Sequence, residues 1–333
     1  MPTDDGDLQR LVAESTAGTA FVNPRALQIP PDARQELHRL RVYVYELPPW
    51  LAQSFELHRR NPSTDLYSAF IPALSTLLHD TVTRTLDPWE ANLFYIPAFT
   101  FGAVYNLGRP HDHVRRVLRF IKAEYPALWA RRGGRDHMVW APGDRGACPL
   151  PPDLENLIWL VHYGAEHVEK GSGAALTLKH EGVDPLSSSD TATCFKPEHG
   201  IVLPPRMWAG GSHLVQQARD TYGPDAEQPP RDTLLFFAGD ARFYDTHYSQ
   251  GVRQKLFERY SNTTVPDIVF KPSVRDMGRS MRGSKFCLAP AGHGWGSRLS
   301  HAMVNGCVPV VVQDGVHMVR ARVIAIAVLP APC

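Results

Sequence analysis

The feature that most constrains this chain is a repeated alternation of short apolar runs with helix-period segments. "RVYVYEL" (41 to 47), "NLFYIPAF", "HMVWA", "LIWLV" and "GIVLPP" are rich in β-branched and aromatic residues and bounded by turn formers, so each reads as a strand. Between them, "YSAFIPALSTLLHDTVTRTL" spaces Phe70, Leu74, Leu77 and Leu78 as one face of a helix. "HDHVRRVLRFIKAEY" likewise sets Val114, Val117, Leu118 and Ile121 on one face and Arg115, Arg116 and Arg119 opposite, a solvated surface. The order resumes after residue 232: strand "TLLFFAG", helix 249 to 260, strand "DIVF", helix 273 to 282, strand "KFCLAPA", helix 297 to 305, strand "VPVVVQD". Strand–helix alternation of this kind predicts open, mostly parallel α/β sheets.

A chain of 333 residues exceeds what one core usually fills, so two such units are expected. Residues 1–40 read as a leader or linker, 41–221 as the first α/β domain, and the Pro-rich 222–232 as a hinge. Residues 233–333 then form the second domain. Lys+Arg number 35 against 34 Asp+Glu, which leaves no bulk charge to attract nucleic acid. No window holds the ~20 apolar residues of a membrane helix, and the N-terminus lacks the order of a signal peptide. The five cysteines, at 148, 194, 287, 307 and 333, show no zinc-like spacing, and no metal site is expected. Asn262-Thr263-Thr264 is an acceptor triplet for N-glycosylation.

The chemistry concentrates in "SKFCLAPAGHGWGSRLSHAMVNGCVPVVVQD" (284 to 314). In an open parallel sheet, loops leaving the carboxyl ends of strands meet the ligand. Gly292, Gly294 and Gly296 let backbone N–H groups approach it, Ser297 stands at the start of a helix, and Arg298 follows. This combination predicts a diphosphate site. It is neither GxGxxG nor a P-loop, and no ribose-binding acid follows at the dinucleotide spacing, which argues against a nicotinamide enzyme.

The same segment resembles the signature of the exostosin-like glycosyltransferase family. "VYVYELPP", "GGRDHMVWAPGDRGAC", "CFKPEHGIVLPP", "LLFFAGDAR" and "YSQGVRQKL" are similar to further blocks of that family in the same order, over about residues 41 to 317. The resemblance implies two Rossmann-like domains facing a cleft, the GT-B arrangement, with donor bound by the second and acceptor by the first. It also implies inverting transfer from a UDP-sugar to a glycan in the Golgi.

The implied partners are a nucleotide sugar and a glycan or polysaccharide acceptor, with no nucleic acid and no cofactor. Arg298 and the amides of Gly294 to Ser297 are then expected to hold the diphosphate, with Arg253 and Lys271 as further donor contacts. Where the family places an acid suited to a ribose hydroxyl, this chain has His301. Asp144 is the expected general base, His137 the alternative, and Arg135-Asp136 a local ion pair. The only Asp-x-Asp is Asp5-Gly6-Asp7, so no metal is expected to bridge the diphosphate.

Cys148 with Cys194, and Cys287 with Cys307, are placed so that they can pair in an oxidising lumen, but four cysteines allow three connectivities. The family's membrane anchor has no counterpart in residues 1–40. "VRARVIAIAVLPAPC" departs from the family pattern, so the second domain is expected to be incomplete. A second reading follows from that and from His301 and Gly143: an inactive or truncated family member acting as a non-catalytic glycan-binding module.

Overall fold

A computed structural model describes residues 39–52, 67–98, 100, 110–143, 146–148, 156–169, 191–205, 217, 219–223, 226, 229–245, 248–261, 265, 267–290, 292, 294, 297–313 and 315–318. The leader up to residue 38, Asp144, Gly296, the 262–264 glycosylation triplet and the tail from 319 lie outside the described residues. In chain order the first half contains β1 (Val42–Val44), α1 (Phe70–His79), β2 (Leu93–Ile96), α2 (Pro110–Glu124) and α3 (Pro126–Ala130). There follow β3 (His137–Ala141), β4 (Ile158–Val161), β5 (Gly164–Ala165), β6 (His167–Glu169), β7 (Thr191–Thr193) and β8 (Gly200–Val202). The second half contains β9 (Thr233–Ala238), α4 (Val252–Tyr260), β10 (Ile268–Lys271) and α5 (Met277–Arg282). It continues with β11 (Ser284–Pro290), α6 (Arg298–Val304), β12 (Val308–Val312) and β13 (Val316–His317).

Two parallel sheets result, in the order β1-β2-β3-β4-β8 and β10-β9-β11-β12. The strands read from the sequence are found, and the mixed α/β class with parallel sheets holds. The inner strands of each sheet pack on both faces, which is why they are apolar throughout instead of alternating, whereas β12 leaves Val308, Val311 and Val312 exposed. In the first sheet Phe94, Ile96, Val139 and Val161 face α2 and α3, where Val114, Val117, Leu118, Ile121 and Leu128 are buried. Val42, Tyr95 and Leu160 point the other way, onto Phe70 and Leu74 of α1. Arg115, Arg116 and Arg119 of α2 are exposed, as its period predicts. Each aliphatic side chain buried this way contributes about 2 kcal/mol.

The second sheet repeats the device. Phe236, Ala238 and Cys287 pack on Met281 and Ala302 from α5 and α6, while Phe237, Phe270 and Leu288 pack on Phe257 from α4. Two short antiparallel pairs complete the described structure. β6 pairs with β7, and β13 pairs with β5 in the register Val316↔Ala165. The β5–β13 pair ties the segment after β12 to the segment after β4, and His317 Nε2 lies 2.5 Å from Glu166 Oε1.

Disulfides join Cys148 to Cys194 and Cys287 to Cys307, so the two open pairings are realised together. The second closes a sequence separation of 20 and fastens β11 to the start of β12. Loop-closure entropy assigns such a bridge about 3 kcal/mol. Replacing Cys287 and Cys307 together by serine is expected to lower urea stability by about that amount. The double variant should also lose part of the response of the melting curve to reductant.

Among the described residues three histidines are buried: His113, His137 and His162. Burial lowers the pKa of each, and pushes His162 down to about 4. On unfolding these rings regain an ordinary affinity for protons, so stability is full above about pH 6.5 and is lost progressively as pH falls. His162 alone is expected to cost about 1.4 kcal/mol per pH unit between those limits. Melting temperature should therefore drop steadily from pH 7 to pH 5, and a flat profile would contradict the neutral, buried state of these rings.

Candidate functional site

Within the second sheet the chain runs from β9 outward to β10 and then crosses back to place β11 on the other side of β9. The carboxyl ends of β9 and β11 therefore flank a topological switch point, where open α/β sheets bind ligands. Gly239 follows β9 there, and the glycine-rich turn follows β11.

Two arginines converge on this point. Arg298, the first residue of α6, donates from Nη1 to the carbonyl of Ala238 at the end of β9. Its guanidinium carbon lies 4.7 Å from the Phe237 ring centroid. Arg253, from α4, lies 5.4 Å from the same ring and 4.6 Å from that of Tyr248. Its Nη1 donates to the Tyr248 hydroxyl at 2.7 Å and to the Asp240 carbonyl at 3.1 Å.

Arg253 is 5% exposed, and its buried Nε has no hydrogen-bond partner. Burial lowers the pKa of both arginines, and the field of Arg253 helps to bring Arg298 down to about 10. Both remain charged at neutral pH. Holding two largely desolvated cations close together costs free energy that a bound anion would recover, and Arg253 Nε adds a further donor at the same place.

Glycines admit both arginines to this point. A Cβ on Gly239 would lie 2.1 Å from Arg298 Nη2, so only glycine admits the guanidinium here. A Cβ on Gly292 would come no closer than 3.7 Å to Arg253 Nη2 and the Tyr248 hydroxyl, which places the turn beside the arginines. Gly294 is buried in the same turn. Ser297 occupies the N-cap position of α6, but its hydroxyl makes no capping bond. Because α6 has only seven residues, the guanidiniums outweigh its dipole as the source of positive field. His301 is half-buried one turn along the same helix, and its carbonyl accepts from Asn305 Nδ2. Lys271 ends β10 in register with Ala238, and its carbonyl accepts from Gly239 N–H at 3.0 Å. Its side chain is exposed on the outer side of β9.

The first half requires corrections. His137 is 0% exposed at the amino end of β3, away from the edge where ligands meet the sheet. Its Nδ1 is 2.8 Å from Asp136 Oδ1 and its Nε2 is 2.8 Å from the Tyr45 hydroxyl. Asp136 also accepts from Arg131 at 2.7 Å, so it acts as a carboxylate. The neutral ring accordingly donates from Nδ1 and accepts at Nε2. A ring sealed in this way, stacked 4.7 Å from Phe94, cannot reach a substrate, and His137 is a core residue, not a base. The ionic partner of Asp136 is Arg131, not Arg135, because the turn before β3 presents Arg131.

Sequence reasoning missed Phe237, Gly239 and Tyr248. Tyr248 lies in the block "YSQGVRQKL", five residues before Arg253, and only the turn between them brings the two together.

A family model described as the exostosin GT47 domain matches residues 36–326. The chain is 30% identical over 294 residues to a probable glucuronosyltransferase of Oryza sativa subsp. japonica, covering 84% of this chain and 64% of that protein. It is 29% identical over 298 residues to a probable beta-1,4-xylosyltransferase of Arabidopsis thaliana, with coverage of 84% and 64%. A probable glucuronosyltransferase of Physcomitrium patens is 28% identical over 304 residues, with coverage of 84% and 59%. The chain thus spans less than two thirds of the length of these relatives. With the family model matched across both parallel sheets, from before β1 to beyond β13, the chain belongs to the exostosin GT47 family.

Proposed function

We propose that this chain is a glycosyltransferase that takes a sugar from a UDP-sugar and passes it to a glycan acceptor with inversion. The carrying observation is the pair Arg253 and Arg298 at the switch point of the second sheet, largely desolvated and held on Phe237 beside Gly239 and Gly292. A diphosphate matches that field, and fixed cations stabilise the charge left on it when the glycosidic bond breaks. The names of the relatives make glucuronic acid and xylose the first sugars to test. Two disulfides favour an oxidising compartment such as the Golgi lumen. Among the described residues no helix is long and apolar enough to cross a membrane.

Incubation with UDP-glucuronic acid, UDP-xylose and other UDP-sugars, with and without glycan acceptors and chelator, tests the reading through UDP release. Acceptor-dependent release that survives chelation supports metal-independent transfer. UDP binding without any release supports a non-catalytic glycan-binding module. No UDP binding would remove the donor-site reading altogether.

A further inference from the structure

The helices that cover the first sheet carry a charge imbalance that the chain as a whole, with a formal net charge of +1, lacks. On α2 and the turn after α3, Arg115, Arg116, Arg119, Lys122, Arg132 and Arg135 are exposed, against Asp112 and Glu124 as the exposed acids of the same stretch. Arg131, in that turn, pairs with the buried Asp136. Spacings of four and three residues put Arg115, Arg119 and Lys122 on one line along α2, with Arg116 beside it. Like charges at these spacings repel and weaken a helix, a cost that a bound polyanion removes. Aromatic rings border the line on both sides. Lys122 Nζ lies 4.7 Å over the Trp129 ring of α3, and Phe120 meets Trp50 at 6.1 Å with the ring planes at 87°. Trp50 is 75% exposed, so most of its indole is open to a ligand.

We propose that this face of α2 is a docking surface for an anionic polysaccharide, a chain rich in uronic acid, separate from the site of sugar transfer. The inference rests on the glycan-acceptor part of the reading above and adds a second place where such a glycan is held. A guanidinium pairs with a carboxylate through two parallel N–H donors, so a line of arginines discriminates a uronate chain from a neutral one. The exposed indole of Trp50 adds an apolar face against which a sugar ring can lie. From Arg115 to Lys122 the line runs about 10 Å, at 1.5 Å of rise per residue, a shape suited to an extended strand of sugars. A lipid surface fits less well. Helices that lie on membranes sink an apolar face into the acyl boundary, and the apolar face of α2, with Val114, Val117, Leu118 and Ile121, is already buried on the first sheet.

Titration of the full chain with an oligogalacturonate, a xylo-oligosaccharide of equal length and phosphatidylglycerol vesicles tests this surface. The triple variant Arg116→Gln/Arg119→Gln/Lys122→Gln is expected to weaken oligogalacturonate binding about tenfold, with melting temperature and UDP affinity unchanged. Trp50→Ala should weaken it about threefold. A second triple variant, Lys255→Gln/Arg275→Gln/Lys285→Gln, removes the same charge from exposed positions of the second half and should leave the affinity nearly intact. Equal losses in the two triple variants would overturn the proposal, because bulk charge would then account for the binding. So would no binding of oligogalacturonate by wild type, equal binding of the xylo-oligosaccharide, or binding of the vesicles in its place. If wild type binds no UDP while oligogalacturonate binding depends on the α2 line, the donor-site reading fails and this inference stands.

Discussion

Arg298→Ala is expected to weaken UDP binding about a hundredfold while leaving the melting temperature unchanged or slightly higher. Hydrogen bonds to charged groups contribute about 1.5–3 kcal/mol each, and a guanidinium already stripped of water sits at the upper end of that range. The stability expectation has the opposite sign for the same physical reason. Without ligand, Arg298 is a largely desolvated cation near a second one, Arg253, and it rests on the Ala238 carbonyl and the face of Phe237. Removing it relieves a repulsion at the loss of one hydrogen bond and one cation–π contact. A residue retained for the fold would show the reverse, a lower melting temperature with UDP affinity intact. Calorimetry on the same preparation separates the two.

Gly239→Ala is expected to cost nearly as much UDP affinity, although it adds only a methyl group and removes no charge. The new Cβ would fall 2.1 Å from Nη2 and 2.9 Å from Cζ of Arg298. What must yield is the far end of a flexible side chain, so the fold survives while the guanidinium leaves its place against Ala238 and Phe237. Because both substitutions act through one group, the double variant should bind UDP no worse than Arg298→Ala alone. Additive losses would mean that Gly239 acts through the backbone of β9 instead.

The strands and principal helices were legible because their apolar residues recur at periods that burial on both faces of a sheet imposes. The glycine turn and Arg298 were legible for a related reason: strand, turn and helix in succession mark the carboxyl edge before any contact is known. The sequence did not give away the depth of His137. A histidine beside Arg135 and Asp136 looks like an exposed polar cluster, yet its environment comes from Tyr45, Phe94 and Trp129, the first of them 92 positions away. The β5–β13 pair was hidden similarly, since two-residue strands carry no period and their bond from Glu166 to His317 spans 151 positions. The meeting of Arg253 with both Tyr248 and Phe237 depends on the turn at Tyr248–Gly251, where positive φ at Ser249 and Gln250 follows no residue preference.

The central claim is that the switch point of the second sheet holds a diphosphate. Its most direct test is a calorimetric comparison of UDP with uridine on the full chain, repeated on Arg298→Ala. The structure predicts that UDP binds at least a hundredfold more tightly than uridine and that the substitution removes most of this difference. If UDP bound no better than uridine, or the substitution left the difference intact, the paired arginines would not be an anion site.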